Sequence, residues 1–85
     1  MRTGDALEVE ATYRDGSPIS VRFHTPTRSD RFGNAYLCSY EITGALTLSQ
    51  FVLGEDAEQA FHLALQVVEA TIGCSIPIAA LRRAD

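Results

Sequence analysis

Leu7, Val9, Ala11 and Tyr13 alternate with Glu8, Glu10, Thr12 and Arg14, the two-residue period of a strand with one face in a core and the other in water. Asp15-Gly16-Ser17-Pro18 follows, a run of turn formers. Ile19, Val21 and Phe23 then alternate with Ser20, Arg22 and His24, so the two segments predict a hairpin. Matching their apolar faces pairs Tyr13 with Ile19, Ala11 with Val21 and Val9 with Phe23. On the wet face this sets Glu10 opposite Arg22 and Glu8 opposite His24, an arrangement of opposite charges worth roughly 0.2 to 1 kcal/mol per pair.

Residues 25–34 are polar and aperiodic and contain Pro26 and Gly33, which predicts one long loop and the first place to look for a binding surface. A third strand follows, with Tyr36, Cys38, Tyr40 and Ile42 on one face and Leu37, Ser39 and Glu41 on the other. Thr43-Gly44-Ala45 turns it into a fourth, in which the apolar parity slips. Leu46 and Leu48 point one way, Phe51 and Leu53 the other. A bulge at Ser49-Gln50 would re-aim the strand; a strand buried on both faces near its end would read the same.

The strongest local signal is a helix start. Asp56 is placed as N-cap with Gln59 three residues on, the spacing of a capping box, and Glu55, Asp56 and Glu58 suit the positive end of the helix dipole. At about 100° per residue, Ala57, Ala60, Phe61, Ala64, Leu65, Val68 and Ile72 form the core stripe. Glu58, Gln59, His62, Gln66 and Glu69 form the wet side, and Leu63, Val67 and Ala70 widen the apolar arc along one flank. Gly73 is a natural stop. The tail from Cys74 to Leu81 is apolar enough to pack on the core before residues 82–85 fray. The expected architecture is one α+β domain of order ββββα: a four-stranded antiparallel sheet, a meander of two hairpins, covered on one face by a single C-terminal helix. Strands fall at about 6–14, 19–25, 35–43 and 46–53, the helix at about 56–72 and the tail at 74–85.

Composition narrows the function classes. With 46% apolar and 21% charged residues over 85 positions, the chain is an ordinary globular one. No apolar run nears the roughly 18 residues of a membrane span, and residues 1–5 lack the apolar stretch of a secretory signal. A cytoplasmic location with no membrane partner is expected. The net charge is −4 and every basic residue is arginine, yet Phe32 to Leu81 contains none and carries Glu41, Glu55, Asp56, Glu58 and Glu69. That balance argues against nucleic acid.

Cys38-Ser39-Tyr40-Glu41-Ile42-Thr43-Gly44, followed by Gly54-Glu55-Asp56-Ala57-Glu58-Gln59-Ala60 and Leu63-Ala64-Leu65, resembles a family of short bacterial proteins of unknown function with the patterns C-x-Y-x-I-x-G and G-x-D-x-x-Q-A-x-x-L-A-L. Tyr36 supplies the aromatic that often precedes the cysteine, and the tail diverges. The resemblance implies a strand-rich half plus a helix in a bacterial protein, and no particular activity.

Candidate chemistry is sparse. Cys38 and Cys74 are expected to be free thiols, since one pair without an export signal belongs to a reducing compartment. Cys38 reads as a small buried hydrophobe, and Cys74 sits past a helix C-terminus, which disfavours a thiolate. Cys38, Cys74, His24 and His62 could supply four zinc ligands but show no paired spacing. His24 and His62 should lie on opposite sides of the domain, and Glu8, Glu10 and Glu41 on an open sheet face. No catalytic, metal or cofactor residues are assigned. The expectation is a non-enzymatic protein-interaction module, with a homodimer possible. The surfaces it offers are the outer sheet face and loop, through Arg22, His24, Arg28 and Arg31, and the helix flank Leu63, Val67 and Ala70 or an unpaired sheet edge. The alternatives are an immunity or antitoxin-type protein masking a basic effector, and a small hydrolase or metal-dependent enzyme, for which a deep pocket joining His24 to Glu8 and Glu10 would speak.

Overall fold

The Arg14-Asp15-Gly16 turn sets the register of the first half. In the computed structural model, which describes residues 6–83, Gly16 N donates to Tyr13 O at 2.8 Å, Tyr13 N donates to Ser17 O at 2.7 Å and the Asp15 carboxylate accepts from Ser17 N at 2.9 Å. Gly16 has φ +90°, the left-handed residue that closes a three-residue hairpin loop. The first strand, β1 (Leu7–Thr12), therefore pairs with β2 (Pro18–Phe23) through Leu7 with Phe23, Val9 with Val21 and Ala11 with Ile19. This corrects the expected register by two residues. Alternation fixes which face a side chain takes, but a shift of two preserves every face, so only the turn could decide.

The sheet has six strands among the described residues rather than four. One addition lies in the segment expected to be loop. Thr27–Ser29 is a short strand, β3, continuing along the same edge of β4 (Ala35–Gly44) that β2 occupies. Phe23 stands opposite Tyr40 and Thr27 opposite Leu37, so residues 24–26 face only residues 38–39. The surplus residue falls beside Pro26, which has no N–H to give a ladder. A 3-10 turn, Asp30–Phe32, then leads through Gly33 and Asn34, at φ 65° and 69°, into β4.

The other addition is β6 (Arg82–Arg83), which pairs antiparallel with β1. The tail does not fray at Arg82; Ala84 and Asp85 lie outside the described residues. The remaining strand, β5 (Leu48–Gly54), pairs with β4 in one unbroken register from Ile42–Leu48 to Tyr36–Gly54. There is no bulge at Ser49-Gln50. The parity slip instead marks a change of face, with Leu48 and Val52 inward and Phe51 and Leu53 outward.

The helix α1 (Ala57–Ile72) covers the inner face. The Asp56 carboxylate accepts from Gln59 N at 2.8 Å, and the Gln59 side chain returns to Glu55 N at 2.6 Å, one residue before the cap. Gly73, at φ 82°, ends the helix by donating to Glu69 O. Ala60, Ala64, Leu65, Val68 and Ile72 are buried against Ile19, Val21, Phe23, Cys38, Tyr40 and Ile42. Each larger side chain among them contributes about 1.5–3 kcal/mol of transfer free energy. Phe61 is half-buried, edge-on to Phe23 at 5.5 Å between ring centres, while Ala57, expected in the stripe, is exposed before the helix has reached the sheet. The helix runs closest over β5 and β4, and the tail adds to the cover. Ile76 is buried, Cys74 and Leu81 pack against the same core, and the Glu69 carboxylate, expected on the wet side, accepts from Ile76 N at 2.7 Å.

Candidate interaction surface

The outer face of the sheet divides into two halves. Over β1 and β2, the Arg22 guanidinium donates to Glu8 at 3.0 Å, Ser20 Oγ donates to Glu10 at 3.2 Å, and His24 Nε2 lies 3.2 Å from the Glu41 carboxylate of β4. The expected cross-strand partners are thus exchanged, as the two-residue shift in register requires. The Arg22–Glu8 ion pair and the His24–Glu41 contact are both more than 40% exposed, and exposed pairs of this kind contribute about 0–1 kcal/mol. Arg22 and His24 are therefore already engaged.

The arginines after β2 are also occupied. Arg28 donates to the Asn34 side-chain oxygen at 3.0 Å, bracing the turn into β4, and the Arg31 guanidinium lies 5.9 Å from the centre of the Phe32 ring.

The other half of the outer face is apolar. Phe51 and Leu53 stand opposite Ser39 and Leu37, and remain 47% and 36% exposed. Phe32, 40% exposed, lies against Phe51 with ring centres 5.8 Å apart. Residue-by-residue sequence reading did not select these positions; the parity slip in the fourth strand was their signal.

The helix flank belongs to the same side of the molecule. Phe61 leans toward Phe23 of β2, and Glu69 holds the tail, whose last strand borders β1. Leu63 and Val67 project from the opposite side of the helix, which therefore faces the β5 edge, while Ala70, two residues from both Val68 and Ile72, points away from the sheet. Val67 is 40% exposed and Ala70 is exposed, while Leu63 is half-buried. Among the described residues β5 pairs only with β4, and this open edge joins the apolar half of the outer face to the helix flank.

Groups with latent chemistry are dispersed. Cys38 and Cys74 are free thiols. Cys38 is fully buried 3.4 Å from the His24 carbonyl oxygen, and burial pushes its thiol up to about 11, the direction that suppresses a nucleophile. Cys74 lies 3.4 Å from Thr12 O. His62 sits on the exposed helix side with its ring edge-on to Phe61, and His24 sits beside Glu41 on the sheet. Glu8, Glu10, Ser20 and Arg82 line a cleft of about 550 Å³, whereas His24 lines a separate one of about 360 Å³ with Phe23, Phe61 and Arg83. Neither of these two clefts joins His24 to Glu8 and Glu10. Among the described residues no three His, Cys, Asp or Glu side chains are grouped to hold a metal, and no helix is long and apolar enough to cross a membrane.

Residues 6–80 match the family described as Domain of unknown function (DUF6968). The chain belongs to the DUF6968 family. The match runs from the start of β1 to the 3-10 turn at Ile78–Ala80, so strands β1 to β5, the helix and the tail as far as Ala80 are within the DUF6968 region, while Leu81 and β6 follow it. No curated protein and no solved structure matches the chain.

Proposed function

We propose that this domain is a bacterial, cytoplasmic, non-enzymatic protein-interaction module that docks a protein partner along its β5 side. The observation that carries the reading is the exposure of Phe51, Leu53 and Val67 on one continuous side that also contains the open sheet edge. A contiguous apolar surface next to unpaired strand groups is costly in water and is commonly covered. The ion-paired half of the outer face and the braced arginines would then form a polar surround. The test is a photo-reactive side chain placed at position 51 in the intact chain, in the cells that make it. A discrete covalent product with a protein is expected from position 51 and not from His62; equal labelling from both positions, or none, overturns the reading.

A second reading is an immunity or antitoxin-type role, masking a basic effector. Glu55, Asp56 and Glu58 are all exposed together at the start of α1, within a segment that has no arginine or lysine. It predicts a salt-sensitive complex with a basic protein, weakened when Glu55 and Glu58 are changed to Gln; retention of such a complex by that double variant would remove the basis for it.

A further inference from the structure

We propose that the partner on the β5 side is a second copy of this chain, joined β5 to β5 about a two-fold axis at Phe51 so that two sheets become one. This rests on the interaction reading above and gives it an occupant.

The direction of the main-chain groups comes first. His24 N donates to Ser39 O at 2.9 Å and Ala45 N donates to Pro18 O at 3.4 Å, so the odd-numbered residues of β4 turn their N–H and C=O toward β2. In an antiparallel ladder these directions alternate. Cys38, Tyr40 and Ile42 therefore bond toward β5, where they meet Val52, Gln50 and Leu48. That leaves Ser49, Phe51 and Leu53 with both main-chain groups directed out of the sheet edge. Among the described residues β5 pairs only with β4.

This array is symmetric about its own middle residue. A two-fold axis there sets Phe51 opposite Phe51 of the second copy and Ser49 opposite Leu53, and each such pair exchanges two N–H···O=C bonds. The outward side chains of the pairs, Phe51 and Leu53, extend the apolar half of one outer face into that of the other. On the opposite face, the flanks bearing Leu63 and Val67 are brought toward each other.

Charge permits a like partner at this edge and disfavours it elsewhere. The chain carries a net charge of −4, so most approaches of two copies oppose like charges. Leu48-Ser49-Gln50-Phe51-Val52-Leu53-Gly54 contains no ionisable residue, and the flank residues Leu63, Val67 and Ala70 add none. Nor does this edge have a protective device: β5 holds no proline, no lysine and no bulge across seven residues, the features by which sheet edges are kept from pairing.

Sedimentation equilibrium of the purified chain tests this. The expected mass is twice that of the 9.3 kDa chain. Phe51→Glu places two carboxylates face to face and should weaken association at least 100-fold. Ser49→Pro removes an N–H that points out of the sheet edge, away from β4, and should weaken it at least 10-fold; it decides the matter if circular dichroism shows that Phe51→Glu has not folded. In a Cys74→Ser background, Phe51→Cys should oxidise readily to a covalent dimer, because bonded cross-strand pairs have Cα atoms about 5.5 Å apart, within disulfide range. Ser49→Cys should not, since its two copies lie about 13 Å apart along the strands. A chain that stays monomeric at millimolar concentration overturns the proposal, as does a dimer that survives both Phe51→Glu and Ser49→Pro, or equal oxidation of the two cysteine variants. A covalent product from position 51 to a different protein, with a monomeric chain, overturns this proposal while leaving the interaction reading in place.

Discussion

The Arg14 guanidinium donates to the main-chain oxygen of Thr71 at 2.8 Å, and to that of Ala70 at 3.3 Å, fastening the first hairpin turn to the end of the helix. These carbonyls belong to the last turn, where intrahelical donors run out and the dipole favours a cation. No basic residue of the helix itself occupies that turn, so a residue distant in sequence supplies it. Arg14→Met keeps a stem beside Gly73 but removes the donors. It should lower stability by about 1 kcal/mol, read as a fall of roughly 4–8 °C in Tm.

Gly54 is fixed by space rather than by backbone angle. A Cβ there would lie 2.5 Å from Ala60 N and 2.8 Å from Ala60 Cα, where α1 crosses the end of β5. Gly54→Ala should cost roughly 3 kcal/mol through displacement of the helix start, measured by urea denaturation. Gly16→Asn, at an exposed position where an added Cβ would meet nothing within 4 Å, should cost under about 1 kcal/mol, because Asn tolerates the left-handed region.

Glu69 anchors the tail through Ile76 N. Glu69→Ala should leave the sheet intact and speed hydrogen exchange at the Ile76 amide about tenfold, equivalent to about 1.4 kcal/mol for a charge-assisted bond. An unchanged exchange rate would show that the buried Ile76 side chain alone holds the segment.

The Cys38 thiol gives a pH dependence with a defined sign. Burial raises it from an ordinary 9.0 to about 11, so the unfolded chain loses this proton first as pH rises. The stabilisation is complete below pH 9 and is lost between about 9 and 11, by about 2–3 kcal/mol in total. Tyr40, also raised by burial, adds in the same direction at higher pH. Cys38→Ala should flatten the pH 9–11 limb of the stability curve, leaving the part that Tyr40 contributes.

Much of this fold was legible because alternation and capping are local. The four main strands, the helix with its Asp56 and Gln59 cap, and the Gly73 stop follow from residue spacing alone. What was not legible depends on distant partners. The register of β1 on β2 is degenerate by two residues until the Gly16 turn is built. β3 has no pattern of its own and exists because β4 extends past β2, and β6 exists because β1 offers a free edge. At the candidate surface, Arg22, His24, Arg28 and Arg31 looked available as single residues yet are engaged by Glu8, Glu41, Asn34 and Phe32. Phe51 and Leu53 were visible as an anomaly of parity, but telling a bulge from an apolar outer face required the continuous β4–β5 pairing.

That β4 carries β2 and β3 on one edge and β5 on the other also orders assembly in time. Residues 35–72 make a ββα unit from neighbours in sequence, whereas the first hairpin has no cover of its own, and a lone hairpin is marginal in water. The N-terminal third, although made first, must wait for the middle of the chain before it has a surface on which to settle.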